Sequence, residues 1–372
     1  MSSLTFPGRL ELHPGALAEL ALIRRSGRRR VLLVSDRGVA AAGPLDRALA
    51  VLRAAGLEVR CHVQMPGEPT LESVAAAEQA REAVEPHAVI GVGGGAVMDV
   101  AKAVAALATN GGGLAERWGE DRFPRPALPL ALVPTTAGTG SEVSRFIVLV
   151  DGAALVKRVA GSPVLLPELA IVDADLTLGL PPRVTADAGM DALTHAVEAY
   201  LGRGASAFSD ALALQATALV AAHLERAFAD PQDRPAREAM ATAGTLAGLA
   251  FNAAGLGAVH ALGYPLDIHH QVPHGRANAI LLAPVLERFE GAATARLRTL
   301  AATVCAPRFT DWVEGLLPAL GIAPRLREHG VADVAAARAL GAEGWETGSR
   351  LLGNSPRTLS REEAEAIYGG RW

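Results

Sequence analysis

Two stretches of this chain gather side chains that are costly to bury without partners. In GMDALTHAVEAY, residues 189–200, Asp191 and His195 stand four apart among Ala, Leu, Val and Met. On a helix they share one face. Farther on, GLGAVHALGYPLDIHHQVPHGRANAI, residues 255–280, carries His260, His269, His270 and His274. Asp191 and His195 are either a capping pair at the surface or half of a metal site that the later histidines complete. A carboxylate and several imidazoles converging on apolar helices favour the second reading, because each is expensive to bury alone. One oxygen and three imidazole nitrogens make a competent shell for zinc or iron, with room for a substrate oxygen. Spacing alone does not decide which histidines take part.

A second chemistry is written in VIGVGGGAVMDVAKAVAALA, residues 89–108, where Gly91, Gly93, Gly94 and Gly95 end an apolar run and open a helical one. Without Cβ atoms the backbone can approach a phosphate, and the free N–H groups of a helix start favour anionic oxygens. The spacing is not the usual G-x-G-x-x-G, so the loop also fits a plain tight turn. Two companions favour a nucleotide. VPTTAGTGSE, residues 133–142, supplies hydroxyls and glycines after another apolar run. Asp36 closes LLVSD, where it can accept from a ribose hydroxyl and repel a 2′-phosphate, favouring NAD over NADP, or simply cap the next helix. Of the 35 basic residues two are lysines, Lys102 and Lys157, and 33 are arginines. A lysine kept against that bias suits a task for a compact ammonium rather than a planar guanidinium.

The elements that must position these groups change character along the chain. Residues 29–36, 87–95, 128–136 and 168–176 are short apolar runs of the kind buried parallel strands show. Helical patterns at 44–56 and 70–84 alternate with them, which predicts an α/β half, and 145–160 reads as an inserted hairpin. After Pro181 and Pro182 come Ala/Leu-rich helical stretches at 190–202, 206–229, 235–254, 276–288 and 293–305. The expected organisation is an α/β dinucleotide-binding domain over 1–180 and an all-helical metal and substrate domain over 181–372.

At 372 residues, with half of them hydrophobic, the chain can bury two cores. A net charge of −4 gives no reason to expect nucleic acid or an anionic membrane as partner. The one basic cluster, RRSGRRR at 24–30, reads as a solvated helix end. Two distant cysteines, Cys61 and Cys305, make no disulfide framework. No secretory pattern opens the chain and no run of about 18 apolar residues is evident, so a cytoplasmic location away from membranes is expected.

Taken together, GGGAVMDVAK, PTTAGTGSEVS, GMDALTHAVEAY and GLGAVHALGYPL…VPHGRANAI resemble the signatures of the iron-containing, or group III, alcohol dehydrogenases. The similarity runs from VLLVSD to NSPRTLSREEAEAIY. It implies a Rossmann-like nucleotide domain, a helical domain of the dehydroquinate synthase-like fold, and a cleft between them. It implies metal ligation, by Fe2+ or Zn2+, through Asp191, His195, His260 and His274. It places NAD(P) on Gly93, Gly94 and Gly95, with Asp99, Thr135, Thr136, Thr139, Ser141 and Lys157 around it. His269 and His270 fall off the ligand pattern. Two departures stand out: Ala96 replaces a serine of the GGGS motif, and Tyr264 replaces a histidine thought to relay protons. Tyrosine, with a reference pKa of about 10, is a poorer acid-base group at neutral pH, so the proton carrier is Tyr264 or, in its place, a cofactor ribose hydroxyl, His269 or His270. The implied reaction is NAD(P)-linked interconversion of small alcohols and carbonyls by a homo-oligomer. Maleylacetate reductase and a non-redox cyclase-lyase of the same fold are the alternatives.

Overall fold

The computed structural model describes residues 4–372 and divides them into two compact units, Leu4–Leu178 and Gly179–Trp372. The first is built on nine strands: β1 (Arg9–Leu12), β2 (Arg30–Asp36), β3 (Glu58–Gln64), β4 (Ala88–Gly93), β5 (Gly119–Glu120), β6 (Leu130–Pro134), β7 (Phe146–Asp151), β8 (Val156–Gly161) and β9 (Leu169–Val172). Six form a parallel sheet in the order β1-β9-β6-β4-β2-β3. The four runs recognised in the sequence are its four inner strands. Both faces of an inner strand are covered: along β2, Leu32 and Val34 enter one core while Val31 and Leu33 enter the other. Edge strands β1 and β3 escaped the sequence reading because exposed polar residues, Arg9 in β1 and Glu58 and Arg60 in β3, break the apolar run.

Around this sheet lie α1 (Arg37–Ala42), α2 (Pro44–Ala54), α3 (Leu71–Glu82) and α4 (Gly95–Asn110). The chain steps outward from β2 to β3, then returns to lay β4 along the other side of β2. That reversal is a topological switch point, where ligands of doubly wound sheets bind at the carboxyl ends of the strands. Asp36 ends β2 and Gly93 ends β4, one on each side of the switch, and β6 ends beside Gly93. The antiparallel hairpin β7–β8 joins β5 in a separate small sheet.

The second unit is helical: α5 (Pro182–Leu201), α6 (Ala207–Ala229), α7 (Arg234–Ala254), α8 (Ala258–His270), α9 (His274–Glu287), α10 (Glu290–Thr303), α11 (Phe309–Ala319), α12 (Val334–Thr347), α13 (Ser349–Asn354) and α14 (Arg361–Arg371). Pro182 opens α5, and Ser206, Asp233 and Ser360 cap α6, α7 and α14. By length and composition α6 is apolar enough to cross a membrane, although it contains no continuous run of about 18 apolar residues. Asp210 and Gln215 interrupt its apolar letters, and the helix packs on α5 and α7.

Glycines bring the helices that bear the histidines into register. A Cβ on Gly344 would lie 3.0 Å from the Leu262 Cα, so α12 seats α8 backbone to backbone. A Cβ on Gly275 would lie 2.0 Å from the Asp187 carbonyl oxygen and 3.0 Å from the Asp191 Cβ. The first turn of α9 therefore rests directly on α5, clamped by Arg276 donating to both carboxylate oxygens of Asp187 at 2.9 and 3.2 Å.

Candidate functional site

In the helical unit α5, α8 and α9 aim donor atoms at one point. Oδ1 of Asp191 lies 3.8 Å from Nε2 of His195, 3.7 Å from Nε2 of His260 and 3.8 Å from Nε2 of His274. Donors of a tetrahedral shell with bonds of about 2.0–2.2 Å sit roughly 3.3–3.6 Å apart. Asp191, His195 and His260, with ligand atoms all within 4.8 Å of one another, form the tight group that suits a divalent ion, and His274 joins it through its approach to Asp191. The rings of His195 and His260 stack at 4.7 Å, and Phe251 lies against His195 at 4.6 Å, an apolar wall that limits ring rotation. The side chains of Asp191, His195 and His260 are at most 6% exposed, whereas His274 is 23% exposed, so the cluster opens at His274.

A second layer fixes the rings. Nδ1 of His260 meets Oε2 of Glu198 at 2.6 Å, and Nδ1 of His274 meets Oδ2 of Asp267 at 2.8 Å. A carboxylate on Nδ1 keeps the proton there and leaves Nε2 as a lone pair aimed at Asp191, the form a metal needs. The other oxygen of Glu198 accepts from the Val259 amide at 2.6 Å, tying the start of α8 to α5. Burial works to push the Asp191 carboxyl up, but positive charge at its neighbours His195, His274 and His260, with the Asn278 amide, holds it below the ordinary range; where those rings are neutral, a bound cation would supply that charge. The donor chemistry, the tautomers and the spacing all fit a divalent metal.

Of the residues singled out as proton carriers, Tyr264 stands one turn after His260 with its ring 5.9 Å from that of His274. His270 is not brought to the cluster. It lies ten residues along α8 from His260, roughly 15 Å at 1.5 Å per residue, with its ring beside Gly330. His269 pairs with Glu343 at 2.9 Å.

In the α/β unit the glycine loop joins β4 to α4. A Cβ on Gly93 would strike Val97 at 2.6 Å, and one on Gly95 would strike the Thr139 methyl at 2.8 Å. Gly94, the residue before α4, would meet nothing closer than the Thr136 hydroxyl at 3.5 Å. No side chain caps α4, so its first amides are available to an anion. Thr135 is buried, its amide donating to the Gly93 carbonyl at 3.0 Å. Asp36 accepts from the Val39 amide at 2.9 Å through Oδ1, so it does cap α1. Lys157 pairs with Glu68 at 2.9 Å.

Similarity to known proteins follows both halves of this arrangement. Residues 7–174 match the model of iron-containing alcohol dehydrogenase, and residues 185–372 match that of the Fe-containing alcohol dehydrogenase family, C-terminal. The chain belongs to the iron-containing alcohol dehydrogenase family. Long-chain-alcohol dehydrogenase 1 of Geobacillus thermodenitrificans is 36% identical over 99% of this chain and 96% of its own length. NAD-dependent methanol dehydrogenase of Bacillus methanolicus is 34% identical over 75% of this chain and 74% of its own. The crystal structure of a 1,3-propanediol oxidoreductase superimposes with a TM-score of 0.95 at 32% identity, covering all of both chains.

Within this family member Asp99 and Ser141 are engaged in a buried network. Lys102, fully buried, donates to Ser141 Oγ at 2.8 Å, Ser144 Oγ at 3.2 Å and the Phe146 carbonyl at 2.8 Å. Ser141 Oγ in turn donates to Asp99 Oδ1 at 2.7 Å, and the Val148 amide donates to Oδ2 at 2.9 Å. Burial pushes Lys102 down and Asp99 up, and their mutual attraction opposes both shifts. The lysine pins the threonine-rich loop and the hairpin to α4, a role open to a compact ammonium and not to a guanidinium. Lys102→Met strands the Asp99 carboxylate and should cost roughly 3–5 kcal/mol in urea unfolding. Adding Asp99→Leu should recover part of that loss, which a double-mutant cycle measures.

Glu198, Asp267 and Asn278 were not singled out in the sequence. Their signal was present as spacing: 191, 195 and 198 on α5, 260, 264 and 267 on α8, and 274 and 278 on α9 each follow the helical repeat.

Proposed function

We propose that this chain is a divalent-metal-dependent, NAD-linked oxidoreductase that interconverts small alcohols and their aldehydes or ketones. The observation that carries this reading is the gathering of one carboxylate oxygen and three Nε2 atoms, buried except at His274 and with two of the rings backed by carboxylates. A divalent ion there, Fe2+ or Zn2+, supplies Lewis acidity that favours an alkoxide or polarises a carbonyl, while nicotinamide supplies the two-electron exchange. Asp191, His195, His260 and His274 hold the ion, Glu198 and Asp267 keep the rings of His260 and His274 oriented, and the exposed edge at His274 admits the substrate. Tyr264, whose ring lies beside that edge, relays the proton of the substrate hydroxyl, its Oη accepting that proton as it passes its own to solvent water.

Gly93, Gly94 and Gly95 let the pyrophosphate reach the first amides of α4, and Thr135, Thr136 and Thr139 line the loop beside it. Asp99, Ser141 and Lys157 serve the cofactor by shaping this loop and hairpin. The name of the Bacillus methanolicus relative specifies NAD. Asp36 supports the same choice, because it ends β2 at the carboxyl edge of the sheet, where its charge would repel a 2′-phosphate. Asp36→Ser keeps a helix cap and removes the charge. It should shift the NADP-to-NAD ratio of kcat/KM upward by roughly tenfold, the factor that 1.4 kcal/mol represents.

The reading is tested by a panel of alcohols and aldehydes with NAD(H) and NADP(H), on protein loaded separately with Fe2+ and Zn2+. Metal-dependent turnover favouring NAD is expected. Reduction of a substrate without metal would point to chemistry of the maleylacetate reductase kind. Absence of any nicotinamide absorbance change across the panel would contradict the redox assignment and favour a cyclase or lyase.

A further inference from the structure

The interhelical contacts around the cluster form a closed ring. Glu198 on α5 holds the His260 imidazole on α8, Asp267 on α8 holds the His274 imidazole on α9, and Asn278 on α9 donates to Asp191 on α5 at 3.0 Å. Each helix thus braces the donor of the next. Asn278 is the neutral brace in this ring and the one that touches donor atoms directly. Its Nδ2 lies 3.0 Å from Asp191 Oδ1, 3.2 Å from His260 Nε2 and 3.3 Å from His274 Nε2. Three comparable distances place the amide nitrogen over the triangle those atoms define.

Chemistry requires nitrogen rather than oxygen at that position, since an oxygen would face the Asp191 carboxylate. The amide carbonyl is turned the other way, toward Gly263, where a Cβ would come within 2.7 Å of it. That Oδ1 is buried without a hydrogen-bond partner, in a residue that is fully buried. An unpaired buried carbonyl is costly, so this orientation is held against a local penalty.

Resting on the metal-site reading, we propose that Asn278 is a positioning residue that both fixes the Asp191 donor oxygen and closes one face of the donor set. Amide hydrogens repel a cation and offer it no lone pair, so that face takes neither water nor substrate. Exchange is confined to the side away from Asn278. The hydrogen bond also withdraws charge from the one anionic donor among the four, which leaves more positive charge on the ion and strengthens its pull on a substrate oxygen.

The two roles separate in two variants studied with Co2+ as a spectroscopic probe. Asn278→Leu keeps the branched heavy-atom shape, so it keeps the face covered but removes the bond to Asp191. Its Co2+ affinity in chelator competition should fall about ten- to hundredfold, the usual effect of losing an outer partner of a ligand, with the visible bands keeping their wild-type intensity because the coordination number does not change. Asn278→Ala uncovers the face, and its ligand-field bands should weaken as water raises the coordination number. Should Asn278→Ala fail to fold, the affinity of the leucine variant still decides the first role. Affinities within about threefold of wild type for both variants, with an unaltered alanine spectrum, would overturn the inference. Wild-type protein that takes up no Co2+ would instead overturn the metal-site reading beneath it.

Discussion

Asp191→Ala should yield a folded protein that retains NAD binding but holds no stoichiometric metal and turns over no alcohol. Asp191 is the one anion among the four donors, and its Oδ1 faces all three imidazoles and the Asn278 amide. Its removal leaves three neutral nitrogens, a far weaker claim on a divalent ion in a buried pocket. With several kcal/mol of Lewis-acid stabilisation gone, kcat/KM should fall by about 10³-fold or more. Elemental analysis, steady-state rates and NAD calorimetry check the three parts separately. His260→Ala should lose metal and turnover as well, and also stability, because it deprives the buried Glu198 carboxylate of its ring partner. Full activity with metal retained in either variant would refute the ligand assignment.

Gly275→Ala, a single added methyl group, should weaken metal binding although it touches no ligand atom. The new Cβ would have to fit 2.0 Å from the Asp187 carbonyl oxygen, which is backbone and cannot rotate away. The first turn of α9 must lift off α5, drawing His274 away from Asp191 and straining the Arg276–Asp187 clamp. Overpacking of this kind costs roughly 1–3 kcal/mol or more, so the melting temperature should drop by several degrees. Metal affinity should fall by at least about tenfold. Gly291→Ala is the control: its Cβ would meet nothing within 4 Å on α10, and stability should hold or rise slightly. Equal behaviour of the two variants would mean that the close approach of α9 to α5 does not matter.

These two experiments probe different levels of what the sequence made legible. Asp191 and His195 were readable because a carboxylate and an imidazole sit one turn apart in an apolar helix. Spacing could not choose among four later histidines, since choosing requires knowing how α8 turns back through Gln271, with φ 52°, into α9. Family signatures supplied that choice, and the folded chain brings His260 and His274 to Asp191 while leaving His269 and His270 at the far end of α8. The inner strands were legible because burial on both faces writes a continuous apolar run. Edge strands β1 and β3 were not, being half exposed. Asp99 and Ser141 were grouped with the cofactor by motif, and only the packing of α4 against the hairpin reveals that both face Lys102. Glu198, Asp267 and Asn278 were hidden for another reason: acidic and amide residues are common on helices, and only the partner across the helix gap gives them meaning.

Everything in the account converges on one ion held by four side chains from three helices. Anomalous diffraction at the metal edge, on crystals of protein loaded with iron or zinc, tests it most directly. The account predicts one strong peak per chain, bounded by Asp191 Oδ1 and the Nε2 atoms of His195, His260 and His274, with Asn278 on one side and no ligand between. A stoichiometric peak elsewhere, or one ringed by only part of this set, would contradict it.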